Sequence, residues 1–90
     1  MKYELDYSPG ARVDLKSLPE TISKRIIAKL DFFVSQDNPL AYAQKLAGKY
    51  HGCYKFRIGN YRAVFQLTES GQLKILFILK IQHRKDIYRP

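Results

Sequence analysis

The sequence is poor in several residue types on which common architectures and chemistries depend. It has one cysteine, Cys53, and no tryptophan among its 90 residues. A single thiol excludes an internal disulfide framework and makes a reducing cytoplasm the expected compartment. Long apolar runs are lacking too. The longest, Ile75 to Leu79, falls well short of the ~20 residues of a membrane span. The opening Met1-Lys2-Tyr3-Glu4-Leu5-Asp6 alternates charged with apolar side chains and has no signal-peptide h-region. His51, His83, Cys53 and scattered carboxylates offer no metal-ligand spacing. There is no glycine-rich phosphate loop, and no acid pair of the kind used by glycosidases or aspartic proteases. No metal or cofactor is expected, so any nucleic-acid cleavage should proceed without one.

Acidic residues are the next scarcity, and the shortage is local. Sixteen Lys and Arg face eight Asp and Glu, a formal net charge of +8. Residues 1–45 hold seven basic and six acidic side chains, whereas residues 46–90 hold nine basic ones against Glu69 and Asp86 alone. The second half therefore carries +7 of the total. A field this concentrated implies a polyanionic partner, and nucleic acid is the commonest. A purely solubilising surface would spread its charge.

What is present fits one small domain covering residues 1–90, with 46% hydrophobic residues to supply a core. Tyr3, Leu5 and Tyr7 alternate and predict a first strand. Ser8-Pro9 starts a helix, since serine caps and proline suits the first turn. Ala11, Leu15 and Leu18 give that helix one apolar stripe. Pro19 opens a second helix, whose stripe of Ile22, Ile26, Leu30 and Phe33 runs to about Gln36. Asp37-Asn38-Pro39 is a break, and Leu40 to Leu46 reads as one or two further helical turns. Beyond Gly48 the period becomes two. Tyr54 to Ile58 and Tyr61 to Leu67 read as strands joined by Gly59-Asn60, and Leu73 to Ile81 as a long central strand. The expected fold is α+β: an N-terminal strand, a helical hairpin, then a three-stranded antiparallel meander, making a four-stranded sheet.

The hairpin register carries chemistry. With Gly59 and Asn60 as the loop, Ile58 pairs with Tyr61, Arg57 with Arg62, Phe56 with Ala63 and Lys55 with Val64. Lys55, Arg57 and Arg62 then emerge opposite the face of Tyr54, Phe56 and Ile58. Like charges directly across a sheet are destabilising, and folding alone gives no reason for two facing guanidiniums. A bridging anion removes the conflict, and phosphate matches the guanidinium fork. After the last strand, His83, Arg84 and Tyr88 lie within six residues. Arg84 suits a charge clamp, Tyr88 a stacking or phosphate-bonding group, and His83 a proton shuttle. A solvated basic tail accounts for the same residues. Cys53 reads as a small packed residue, His51 as structural, and the tyrosines at 3, 7, 42, 50, 54 and 61 as core or rim.

These same residues carry a resemblance. The stretch Cys53-Tyr54-Lys55-Phe56-Arg57-Ile58-Gly59-Asn60-Tyr61-Arg62-Ala63-Val64-Phe65 resembles the central hairpin of RelE/ParE superfamily toxins. His83-Arg84-Lys85-Asp86-Ile87-Tyr88 is similar to the family's closing signature, and the element order matches along essentially the whole chain. The RelE branch implies an endoribonuclease acting on mRNA in the ribosomal A site. Its 2′-OH attacks the adjacent phosphate, leaving a 2′,3′-cyclic phosphate and a 5′-OH. By motif position the resemblance makes Lys55 the strand lysine that serves as base and Arg62 the phosphate-stabilising arginine. Arg84 becomes the arginine near the leaving oxygen, and Tyr88 the tyrosine that stacks on or orients the substrate. Arg57 stands where the best-known member has a second lysine, and His83 is an alternative acid or base. Lys49, Lys80, Lys85 and Arg89 complete the set as substrate-binding cations.

The resemblance also implies an acidic, RelB-like cognate antitoxin, with the ribosome and mRNA as the other partners and no membrane. A basic face left open in a cell full of RNA calls for such a cover. Two other readings stand beside it. One is a ParE-like toxin that poisons DNA gyrase without cutting RNA; the other is a plain RNA-binding module. Retention of Lys55, Arg57, Arg62, Arg84 and Tyr88 favours the nuclease branch.

Overall fold

A computed structural model describes residues 2–87. Tyr88 and Arg89, expected at the site, lie outside the described residues. Strand β1 (Lys2–Tyr7) alternates exposed and half-buried positions, with Tyr3, Leu5 and Tyr7 packed on the core as their spacing predicts. Ser8 then caps α1 (Pro9–Ser17): its Oγ accepts the Ala11 N–H at 3.0 Å and its hydroxyl donates to the Leu79 carbonyl at 2.9 Å. The cap thus also ties α1 to the sheet. Helix α2 (Glu20–Val34) follows Pro19 and buries Ile26, Leu30 and Phe33, the stripe expected of it.

Strands β3 (Tyr54–Ile58), β4 (Tyr61–Ser70) and β5 (Leu73–His83) form the antiparallel meander. The β3–β4 register is the one read from the loop: Ile58 with Tyr61, Arg57 with Arg62, Phe56 with Ala63, Lys55 with Val64. Gly59 has φ of 58° while no non-glycine residue described has a positive φ. A positive φ at the first loop position alone suits a type II′ hairpin, whose twist matches that of the strands. β1 adds to β5 in parallel.

The sheet has five strands rather than the four expected, the additional one being β2 (Ala43–Lys45), in the order β1-β5-β4-β3-β2. Residues 40–46 are not simply helical turns. Pro39–Tyr42 is a 3₁₀ turn, and Ala43–Lys45 forms β2, pairing Ala43 with Phe56, Gln44 with Lys55 and Lys45 with Tyr54. β3 would otherwise present an unpaired backbone edge, and the incoming chain satisfies it. Three residues are too few to show an alternation, so only this tertiary partner reveals the strand.

The helices cover one face of the sheet. There Phe56 lies stacked between Phe33 and Phe65, with ring centroids 4.5 Å apart on either side, among Ile26, Leu30, Ala63, Leu76, Ile78 and Ile81. A register shift in the β4–β5 ladder decides what occupies the other face. Val64 pairs with Lys80, yet the next residue, Phe65, pairs with Ile78. β5 therefore carries one extra residue, a β-bulge, and its alternation reverses there. Leu76 and Ile78 point into the core before the bulge, and Ile81 does so after it. Lys80 and Gln82 are thereby turned onto the helix-free face. Past the end of β1, the Ile81 N–H would lack a strand partner, and Asp14 Oδ2 accepts it at 2.9 Å. Among the described residues, no helix is long and apolar enough to cross a membrane.

Candidate functional site: a basic cleft on the open sheet face

The helix-free face gathers its cations from four segments. β3 contributes Lys55 and Arg57, β4 contributes Arg62, and β5 contributes Lys80. The fourth segment is the short helix α3 (Arg84–Ile87), which begins where β5 ends. Its first residue is held in place by the hairpin loop, since the Arg84 N–H donates to the Asn60 carbonyl at 2.7 Å. Lys55, Arg57, Arg62 and Arg84 consequently line one cleft of about 240 Å³ at the Gly59–Asn60 turn. That is smaller than the roughly 300–1,000 Å³ of typical organic-ligand pockets. Among the described residues no carboxylate lines it. Among the described residues the ion pairs are Lys24–Glu20 on α2 and Lys74–Glu69 near the β4–β5 turn. The cleft is a small, strongly cationic cup whose chemistry fits an anion the size of a phosphodiester.

Arg62 is the best-anchored of the four. Its Nε donates to Gln82 Oε1 at 2.9 Å, directly across the β4–β5 ladder. Its guanidinium also lies 5.7 Å from the centre of the Tyr50 ring. Tyr50 comes from a 3₁₀ turn, Gly48–Tyr50, closed by the Cys53 N–H donating to the Tyr50 carbonyl at 2.9 Å. The Lys80 ammonium donates to the Tyr50 phenol oxygen at 3.0 Å. That hydrogen bond pulls the phenol below its ordinary pKa, and the charges of Lys80 and Lys49 add to it against the opposing effect of burial. Lys49 itself lies 5.2 Å from the ring centre. Val64, fully buried but outside the main core, sits between Lys55 and Lys80 in register.

A family model described as the ParE toxin of the type II toxin–antitoxin system parDE matches residues 5–88. The chain belongs to that family. Toxin RelG of Mycobacterium tuberculosis is 32% identical over 92 residues, covering 99% of each chain. The solved toxin–antitoxin complex RelBE2 from the same organism matches with a TM-score of 0.68 at 26% identity, over 93% of this chain and 100% of that one. The RelB–RelE complex of Methanococcus jannaschii matches with a TM-score of 0.59 at 28% identity, over 91% of this chain and 93% of that one. The protein is a toxin of the RelE/ParE superfamily, as its hairpin and closing motif suggest, and it has that superfamily's fold.

In this toxin the expected site residues divide into three groups. Lys55, Arg57, Arg62 and Arg84 converge on the cleft, and Lys80 and Lys49 extend it around Tyr50. His83 does not join them. As the residue two beyond Ile81 it faces the helices, lining a groove with Ile22, Arg25 and Ile26, and its ring meets Tyr61 edge-on at 4.8 Å. Its Nδ1 accepts the Lys85 N–H at 2.9 Å, fastening the start of α3. Lys85 is exposed on that helix. Cys53 is buried, in keeping with a packed residue. Two participants escaped the sequence reading. Gln82 comes beside Arg62 on the helix-free face only because of the bulge, and Tyr50, read as core or rim, reaches that face from a loop thirty residues before its partner Lys80.

Proposed function

We infer that this toxin is a metal-independent, ribosome-dependent mRNA endoribonuclease that inhibits translation in the cytoplasm. The observation that carries this reading is the convergence of Lys55, Arg57, Arg62 and Arg84 on one cleft that, among the described residues, has no carboxylate. A site so composed attracts a phosphodiester and gives a divalent cation no hard-oxygen anionic ligand. In this reading Arg62, braced by Gln82, and Arg57 grip the non-bridging oxygens and stabilise the charge that builds on the phosphorane. Lys55 receives the 2′-OH proton as the 2′-oxygen attacks phosphorus. Arg84 stabilises charge at the departing 5′-oxygen, and Tyr88 orients the substrate. The products are a 2′,3′-cyclic phosphate and a 5′-OH. The likeness to toxin RelG and to RelE-type chains supports the RelE branch over others.

The same reading assigns the toxin a RelB-like acidic antitoxin. Two solved relatives are complexes of a toxin with an antitoxin. Phe32 and Tyr42 are exposed at 46% and 47% and lie edge to face, leaving apolar surface for an amphipathic segment. Primer extension on a defined message in a purified translation system tests the catalytic reading. Cuts inside the A-site codon that require ribosomes, and that disappear in Arg62→Ala, are expected. A ParE-like action on DNA gyrase is the second reading, favoured by the family model itself. Uncut message, with DNA replication failing before translation on induction, would establish it instead.

A further inference from the structure

The Tyr50 phenol has a directional hydrogen-bond arrangement that structural packing does not require. Lys80 Nζ donates to the phenol oxygen at 3.0 Å. Arg62 Nε donates to Gln82 Oε1 at 2.9 Å, which leaves the Gln82 amide N–H groups free to donate, and Gln82 adds to the lowering of the phenol's pKa. An ammonium has only donors to offer, so the phenol accepts from Lys80 and its own proton is left for another acceptor. Among the described residues the charged groups placed against the ring are cations: Lys49 from its own turn, Arg62 from β4 and Lys80 from β5. Donors and cations stabilise the phenolate, so the phenol releases its proton more readily. Arg62 lines the phosphate cleft and also lies 5.7 Å from the centre of the Tyr50 ring, so one side chain joins the phenol to the site.

We propose that Tyr50 is the general acid of the RNA-cleavage reaction, giving its hydroxyl proton to the departing 5′-oxygen while Lys80 and Gln82 hold the resulting phenolate. This rests on the endoribonuclease reading above. The step balances simply. The 2′-oxygen loses its proton to Lys55 and forms a bond to phosphorus. The bond from phosphorus to the 5′-oxygen breaks, and that oxygen takes the proton from Tyr50. Lys55 then releases the proton it took to water, and the phenolate recovers one from water, which restores both groups for the next cycle. A tyrosine serves better here than the arginines of the cleft, because a guanidinium does not give up its proton in the working range.

The test compares wild type, Tyr50→Phe and Tyr50→Ala on programmed ribosomes carrying one defined A-site codon. The codon is supplied with the ordinary 5′-oxygen or with sulfur in its place at the scissile bond. A thiolate leaves without protonation, so the sulfur substrate has no need of an acid. Tyr50→Phe should cleave the oxygen substrate about 10²–10⁴-fold more slowly and the sulfur substrate at close to the wild-type rate. Its binding of a 2′-deoxy, uncleavable codon should be unchanged, and the alkaline fall in the wild-type pH–rate profile should vanish. An equal defect on both substrates would overturn the proposal and make Tyr50 a positioning group for Arg62. An unimpaired Tyr50→Phe beside a weakly binding Tyr50→Ala would overturn it in favour of a stacking platform. Failure of the wild type to cut either substrate overturns the endoribonuclease reading, and this proposal with it.

Discussion

Replacing Arg57 with glutamine should make the toxin more stable while removing its proposed activity. Arg57 and Arg62 are direct cross-strand partners, and among the described residues no carboxylate lines the cleft they share. A like-charge pair in that position costs roughly 0.2–1 kcal/mol. Arg57 is exposed, while Arg62 is half-buried and bound to Gln82. Water screens the pair, so the lower part of the range applies, about 0.2–0.5 kcal/mol. In a domain of this size that is about 1–4 °C in Tm. Glutamine keeps much of the aliphatic stem and drops the charge. Thermal melts followed by circular dichroism at low salt should show the gain. At about 1 M salt, where the Debye length is ~3 Å, wild type and variant should nearly coincide. Added inorganic phosphate should raise the Tm of wild type more than that of Arg57→Gln, because only the native pair offers two guanidiniums to one anion. An Arg57→Gln variant that melts at or below wild type in low salt would refute the reasoning. The facing arginines would then be structural rather than a cost accepted for binding.

Two further expectations concern stability away from the cleft. The Tyr7 hydroxyl is buried without a hydrogen-bond partner, and burial, with the charge of Asp31 adding to it, pushes the phenol up to about 12. The unfolded chain therefore loses this proton first, so the contribution is intact below the ordinary value of 10.0 and is lost as pH rises toward about 12. Tyr7→Phe should be neutral or stabilising by up to ~1 kcal/mol and should flatten the alkaline decline in Tm; a steeper decline in the variant would count against this. Asp14→Ala strands the Ile81 N–H that Oδ2 accepts at 2.9 Å, at an expected cost of about 1–3 kcal/mol in urea unfolding. Exchange of the Ile81 amide with deuterium should accelerate in that variant, and unchanged protection would show that another group serves as the acceptor.

Which features were legible in the sequence depends on how far their determinants reach. The β3–β4 register was readable because one glycine at the first position of a two-residue loop fixes the turn, and the turn fixes every pair behind it. The Ser8 cap and the stripes of α1 and α2 were readable for the same reason, since each is written within one or two helical turns. β2 was not, because three residues carry no period and its cause is the open edge of β3. The bulge in β5 left no local mark either. The run from Ile75 to Leu79 is apolar on both faces, so its pattern looks the same with or without an inserted residue. The polar contacts of Tyr50 were not legible because its partners Arg62, Lys80 and Gln82 lie 12, 30 and 32 residues further along the chain, joined to it only by the folded sheet.

That single inserted residue reassigns the proposed chemistry as well as the geometry. Counted as an unbroken strand, β5 would put Lys80 and Gln82 on the side of Leu76 and Ile78, inside the core, and His83 on the basic face. That arrangement would bury an ammonium among aliphatic side chains, at a cost of several kcal/mol, and would make the histidine the natural proton carrier. The bulge avoids the buried charge by reversing the alternation. The same reversal sends His83 toward α2, where its ring packs on Tyr61 and its Nδ1 fastens α3. It also brings Lys80 and Gln82 beneath Tyr50. Under the proposed cleavage reaction, a face with histidine excluded and cations admitted needs a different proton donor, and the proposal assigns that part to the phenol that accepts from the Lys80 ammonium. The relief of a packing conflict in the core and the make-up of the cleft are thus one structural event.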